Sequence, residues 1–321
     1  MSINDDAATA GTDRILVLGA GELGLAVLRH LARLAAGRAG VSVTVALRPE
    51  TIGSANPKKQ EAAAELRALG VGLLAADLAS GTLPELAGLF SRFDTVVSCT
   101  GFVAGKGTQR KLTQAAIAAG VRRYVPWQFG VDYDVVGRGS AQDLFDEQLD
   151  VRDLLRAQTA VEWVIVSTGM FTSFLFEPAF GVVDLAHDAV HALGGWDTAV
   201  TVTTADDIGA LTAAILFATP RIVNRVVYTA GDTLTYGQLA DTVETALGRP
   251  VARSVWDVPR LTAGLEQDPE DALRKYRLVF AQGRGVAWPL SDTFNARENI
   301  AVTDVAQWLR AAGRGAGGKA A

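Results

Sequence analysis

Cysteine is almost missing from the 321 residues, and the single thiol, Cys99, excludes a disulfide framework. Histidine is nearly as scarce: His30, His187 and His191 are too few for an imidazole-built metal cluster. His187 and His191 stand four apart, a spacing two ligands can share on a helix. No H-E-x-x-H glutamate or third ligand accompanies them, and a partly exposed helix face accounts for the pair. No apolar run approaches the roughly 18 residues of a membrane span, and residues 1–12 lack the apolar stretch of a secretory signal. The chain is therefore expected to be soluble and cytoplasmic, with no membrane partner and no bound metal. Positive charge is not in excess either. Lys+Arg 30 against Asp+Glu 35 leaves a net charge of -5, and without a basic stripe nucleic acid is not an expected partner.

Apolar residues are plentiful, at 49% of a chain long enough for one large or two modest domains. The ends, 1–12 and 313–321, are small, polar and aperiodic, and are expected to be flexible. Between them short apolar runs alternate with helical patterns. Strands are expected at 14–18, 41–47, 72–75, 94–98, 123–126 and 162–166. Helices are expected at 22–36, 57–69, 109–119 and 144–158, with a further one opened by the Thr82-Leu-Pro-Glu85 cap. That order implies an α/β fold, a Rossmann-type doubly wound parallel sheet. After Gly169 the rhythm breaks. Residues 13–168 are thus expected to form a dinucleotide-binding domain and 169–312 a smaller C-terminal substrate lobe, with a late strand at 225–229 returning to the sheet. Helices at 235–247 and 304–312 complete that lobe, and the chain has no internal repeat.

Gly19-Ala-Gly21-Glu22-Leu23-Gly24 matches G-x-G-x-x-G directly after an expected strand and at the start of an expected helix. In that context Gly19 permits the tight turn and Gly21 lets backbone approach a pyrophosphate. Gly24 allows close helix–sheet packing, and the helix start offers free N–H groups. A merely tight βα turn would use the same glycines. The second strand ends in Arg48 where an NAD site usually carries a carboxylate, so a 2′-phosphate and NADP(H) are favoured, with Lys58 or Lys59 adding charge. Glu50 argues the other way, and a solvated cationic cluster is the alternative for all three cations. Asp77 can accept from an adenine amino group or cap a helix. Thr100 and Gly101, at the end of the fourth strand, leave room for a dinucleotide beside Phe102, while Cys99 reads as a packing residue.

With these features and the segment Arg122-Arg-Tyr-Val-Pro-Trp127-Gln128-Phe129-Gly130 in view, the chain resembles the NmrA-like, isoflavone-reductase-like branch of the atypical short-chain dehydrogenases. The likeness runs from Arg14 to about Val251. It includes Gln109, Asp206-Asp207-Ile208-Gly209 and Pro220-Arg221-Ile222-Val223-Asn224. The resemblance implies NADPH bound to a Rossmann domain, with Gln128 and Phe129 beside the cofactor. Family members commonly reduce aromatic substrates, whereas NmrA itself is a regulator that binds dinucleotide without reducing anything.

Two departures stand out. The family's usual G-x-x-G-x-x-G would put its first glycine at Leu18. The catalytic lysine of the reductases, in a pattern like F-x-x-K-x-x-I-R, falls on Gln148 of Phe145-Asp-Glu-Gln148-Leu-Asp-Val151-Arg152. None of the five tyrosines has a lysine four residues on. Gln148 can orient a ligand but not protonate it. Tyr133 is then the candidate donor, flanked by Asp132 and Asp134; the alternative is an ordinary half-buried loop tyrosine. The acidic set Asp143, Asp146, Glu147, Asp150 and Asp153 reads as a solvated helix face, although Asp146 or Glu147 stands close enough in sequence to Gln148 to assist protonation. Trp127, Thr168, Met170, Phe171 and Phe174 are expected to line a pocket for a small aromatic substrate. The expectation is an NADPH-dependent reductase of a carbonyl, imine or conjugated double bond. The alternatives are a dinucleotide-sensing regulator and a non-redox isomerase or cyclase retaining NADP(H). A homodimer is left open.

Overall fold

A computed structural model describes residues 12–102 and 105–316. Thirteen strands are present among the described residues. They are β1 (Asp13–Leu18), β2 (Val41–Leu47), β3 (Gly72–Ala75), β4 (Thr95–Ser98), β5 (Arg123–Val125), β6 (Glu162–Ser167), β7 (Met170–Phe171), β8 (Val183–Asp184), β9 (Ala189–Leu193), β10 (Ala199–Thr203), β11 (Arg225–Tyr228), β12 (Asp232–Thr235) and β13 (Ala252–Trp256). The helices that matter for the site are α1 (Glu22–Ala35), α2 (Pro49–Ile52), α3 (Pro57–Ala68), α4 (Leu83–Phe90), α5 (Thr108–Ala119), α6 (Tyr133–Val136), α7 (Leu144–Arg156) and α8 (Thr172–Leu175).

The main sheet has the hydrogen-bonded order β11-β6-β5-β4-β1-β2-β3, and every pair in it is parallel. Strand order therefore reverses at β1, where the chain leaves toward β2 and later returns to β4 on the other side. Such a switch point opens a crevice at the strands' C-terminal ends. Continuous apolar runs build the central strands because both faces are covered: Ile15, Leu16, Val17 and Leu18 of β1 and Val96 and Val97 of β4 are all buried.

The chain divides into two compact units. The first runs to Trp127 and adds Gln158–Trp163; the second comprises Gln128–Ala157 and the chain from Val164 onward. This division differs from the expected one at 168, because the Gln128–Ala157 stretch with α7 groups with the later chain. In the second unit β11 lies beside β6, and two three-stranded sheets, β12-β10-β7 and β13-β9-β8, complete it.

Local sequence accounts for most helix ends. Thr82 and Glu85 form a reciprocal capping box on α4, and Gly120 ends α5 in the left-handed conformation. Two expectations need correction. His187 and His191 do not share a helix: they lie in the β8–β9 hairpin, where alternation rather than a four-residue period governs. His187 Nδ1 meets Asp184 at 2.8 Å, while His191 Nδ1 meets Ser254 Oγ at 2.7 Å and its ring stacks on Trp256. The last helix, Val305–Ala316, continues past Ala312 into residues expected to be loose. The remainder of both expected tails, 1–11 and 317–321, lies outside the described residues.

Candidate functional site

The glycine turn is built as its residue types require. Gly19 sits at φ +89, a conformation that favours glycine, and its N–H donates to the Ala46 carbonyl at 3.1 Å. A side chain at Gly24 would run into the Gly19 carbonyl oxygen, whereas Gly21 has open space beside its Cα. Gly21 is the N-cap of α1, and the first helical bond runs from Leu25 N–H to the Gly21 carbonyl. The preceding N–H groups thus lack helical acceptors and make an anion-binding end. Glu22 is exposed. The Leu23 side chain is in the core.

Around this turn the first unit forms a cavity of about 520 Å³. Gly19, Ala20 and Gly21 line it from the end of β1, Ala46, Leu47 and Arg48 from β2, and Cys99, Thr100 and Gly101 from β4. Its size suits part of a dinucleotide. Arg48 is mostly exposed and 3.3 Å from Glu50, a contact of the kind worth about 0–1 kcal/mol and easily exchanged for a phosphate. Thr51 joins the lining, and of the two lysines expected to add charge Lys59 lines the cavity while Lys58 lies on the exposed surface of α3. Sequence spacing could not choose between adjacent lysines on a helix.

Asp77 also lines the cavity, and its Oδ1 accepts from the N–H groups of Ala79 and Ser80 at 3.0 and 3.1 Å. It caps a turn rather than a helix. Hydrogen bonds from Ser80, with Ala79 and the nearby Arg48 cation, hold its carboxyl below the usual aspartate range. Thr100 Oγ1 donates to the Leu18 carbonyl at 3.0 Å, and Gln109 Nε2 donates to the Thr100 carbonyl at 2.6 Å, which ties the β4 end to α5. The Phe102 ring stands edge-on to Trp127 at 4.5 Å, and Gly101 packs beside the same indole. Cys99 is buried and its thiol is pushed well up by desolvation, as a packing residue's should be.

In the second unit several expected residues are placed differently. Tyr133 is 2% exposed, packed edge-on against Phe145, with its hydroxyl against Gly130; burial pushes its phenol far up. It is a core ring rather than a half-buried loop residue. Gln128 was expected beside the cofactor, yet its side-chain amide is engaged within its own unit. Its Nε2 donates to the carbonyl and to Oε1 of Gln148 at 3.0 and 2.6 Å, and its Oε1 accepts from Arg152 Nε at 2.9 Å. Phe129, Thr168 and Met170 are buried in the core, while Phe171 is half-buried. Phe174 stacks on Phe180 and meets the edge of Tyr276.

The residue that sequence reasoning passed over is Arg152. Although fully buried, it donates from one terminal nitrogen to Asp132 at 3.2 Å and Asp134 at 2.7 Å, and from the other to Ser167 at 3.4 Å. Asp132 also accepts from the Tyr228 hydroxyl at 2.7 Å. Arg156, with Arg152, holds the Asp134 carboxyl down to about 2. An arginine four residues after Gln148 on an amphipathic helix was the available signal. The acidic set on α7 is tethered rather than simply solvated: Arg138 pairs with Asp150 and Asp153, and Lys275 with Asp143. Asp146 accepts from the Gly139 N–H. Among the described residues no group of three His, Cys, Asp or Glu is placed to hold a metal ion, and no helix is long and apolar enough to cross a membrane.

Comparison with known proteins adds four findings. The model of the NmrA-like family matches residues 11–281. An NmrA-like family domain-containing oxidoreductase of Gibberella moniliformis is 46% identical over 300 residues, covering 93% of this chain and 98% of that protein. Among solved structures, AtPrR2 with NADP+ and (+)pinoresinol superposes with a TM-score of 0.75 at 19% identity, over 94% of this chain and 98% of that one. The leucoanthocyanidin reductase–NADPH complex from Vitis vinifera has a TM-score of 0.75 at 20% identity, covering 92% and 98%.

Proposed function

The chain belongs to the NmrA-like family, and from that premise we propose that it is an NADPH-dependent oxidoreductase acting on a carbonyl, imine or conjugated double bond of a small aromatic substrate. The observation that carries the reading is the convergence of the Gly19–Gly21 turn, Arg48 and Lys59 on one cavity of the first unit. These residues fit NADPH by their donor chemistry. The N–H groups at the start of α1 would hold a pyrophosphate, Arg48 and Lys59 would pair with a 2′-phosphate, and Asp77 would accept from the adenine amino group. Thr100 and Gly101, small residues at the end of β4, line the same cavity. When bound, NADPH supplies a hydride.

Gln148 stands where the reductases of the family carry lysine. A carboxamide has no proton to transfer at neutral pH, so in this chain water or another group delivers the proton that follows hydride. The oxidoreductase name of the Gibberella relative and the NADP+- and NADPH-bound neighbours support redox chemistry. Pinoresinol in one of those neighbours supports an aromatic substrate.

Gln148 and the buried Tyr133 favour a second reading, in which the bound dinucleotide is sensed or kept structurally rather than turned over. One experiment separates the two. NADPH absorbance is followed with a panel of aromatic aldehydes, ketones, imines and enones. The reductase reading expects substrate-dependent loss of absorbance with at least one class. Tight NADPH binding without turnover across the panel moves the assignment to a regulator or a non-redox enzyme.

A further inference from the structure

In the buried polar chain of the second unit, the direction of every hydrogen bond is set by chemistry. A guanidinium only donates. Arg152 Nε, 2.9 Å from the side chain of Gln128, must therefore face its oxygen. That orientation turns Gln128 Nε2 toward Gln148, where it meets the main-chain carbonyl at 3.0 Å and the side-chain Oε1 at 2.6 Å. A main-chain carbonyl only accepts, so the amide of Gln128 is fixed from both sides. Gln148 must then present Oε1 to Gln128 and turn its own nitrogen away, because the opposite orientation would set two N–H groups against each other. Gln148 Nε2 is buried and has no hydrogen-bond partner among the described residues, and Gln148 as a whole is 0% exposed.

A buried donor left without an acceptor is unfavourable, and one retained in a folded protein calls for a partner such as a bound ligand or a water. We propose that Gln148 Nε2 is a ligand-binding donor for a neutral oxygen acceptor, a carbonyl, ether or hydroxyl oxygen of a bound small molecule, and that Arg152 and Gln128 are positioning residues that fix its polarity. The arginine works through two amides in series: its donor sets the oxygen of Gln128, and the nitrogen of Gln128 sets the oxygen of Gln148. Asp132 and Asp134 hold the guanidinium in place at 3.2 and 2.7 Å. The site holds an oxygen without protonating it. The identity of the small molecule rests on the oxidoreductase reading; the polarity of the amide does not.

The test inverts that polarity at a residue placed one step behind the donor. In Gln128→Glu the carboxylate still accepts from Arg152 but has no N–H for Gln148, whose amide then turns its nitrogen inward. Selective 15N labelling of glutamine side chains reads this without any ligand. The Gln148 amide protons, identified by their loss in Gln148→Met, shift downfield in Gln128→Glu; unmoved protons overturn the proposal. Binding is then measured by calorimetry for the wild type, Gln128→Glu and Gln148→Met. The probes are NADP+, adenosine 2′,5′-bisphosphate, and benzylideneacetone added to the NADP+-loaded protein. A loss of about tenfold for NADP+ in both variants, with the bisphosphate unchanged, places the acceptor in the nicotinamide half. Unchanged NADP+ binding with about tenfold weaker benzylideneacetone places it on the substrate. If neither probe weakens, the proposal is overturned, and if one variant fails to fold the other decides. A wild type that ignores NADP+ altogether sinks the oxidoreductase reading instead, and the labelled spectrum then decides the amide polarity alone.

Discussion

Gly24 shows how much a single missing Cβ can decide. A methyl group there would enter the space of the Gly19 carbonyl oxygen, a backbone atom that cannot swing aside as a side-chain tip does. Gly24→Ala is expected to lower thermal stability and to weaken NADPH binding at least as strongly, because any relief must move the turn that carries the free N–H groups. Thermal unfolding with and without NADPH checks both effects. Asp134 makes a second prediction. Its carboxyl is held at about 2 against an ordinary 3.8, chiefly by Arg156 and then Arg152. The stabilisation is therefore complete above the ordinary value and is lost as pH falls through about 2. The gap in unfolding midpoint between wild type and Asp134→Asn should be widest above pH 4 and close near pH 2. A constant gap would mean that the carboxylate's charge is not what stabilises the fold. The glycines were legible in the sequence because backbone sterics act locally. The burial of Tyr133 and the inward commitment of Gln128 depend on Phe145 and Arg152, partners 12 and 24 residues away.

At the scale of elements, strong local signals and buried runs could be read directly. The strand at Val41–Leu47 and the Thr82 capping box appear where expected because each is specified within a few neighbouring residues. Thr82→Ala should cost about 1 kcal/mol by removing the α4 cap, lowering the unfolding midpoint by about 2–4 °C without altering NADPH affinity. A change in affinity would show that the cap is coupled to the site. Elements defined by pairing were harder. The four-residue spacing of His187 and His191 fits a helix, but β9 gains its partners from Val183 and Asp184 and from Ala252–Trp256, which no local pattern reveals. The strands β12 and β13 went unread for the same reason. The choice of Lys59 over Lys58 depends on how α3 is rotated, a matter of packing on Ala63 and Leu66.

For the molecule as a whole, an acidic chain with a net charge of -5 binding a polyanion has to concentrate its cations locally. Arg48 and Lys59 do so, lining the same cavity as the Gly19–Gly21 turn and the C-terminal end of β4. Direct titration of NADPH and NADH into the wild type and Arg48→Asp measures this most directly. The wild type should prefer NADPH, and Arg48→Asp should lose NADPH affinity by more than tenfold, about 1.4 kcal/mol, while NADH binding changes little. Equal losses for the two coenzymes, or an unchanged NADPH affinity, would contradict the assignment of Arg48 to the 2′-phosphate and with it the account of this site.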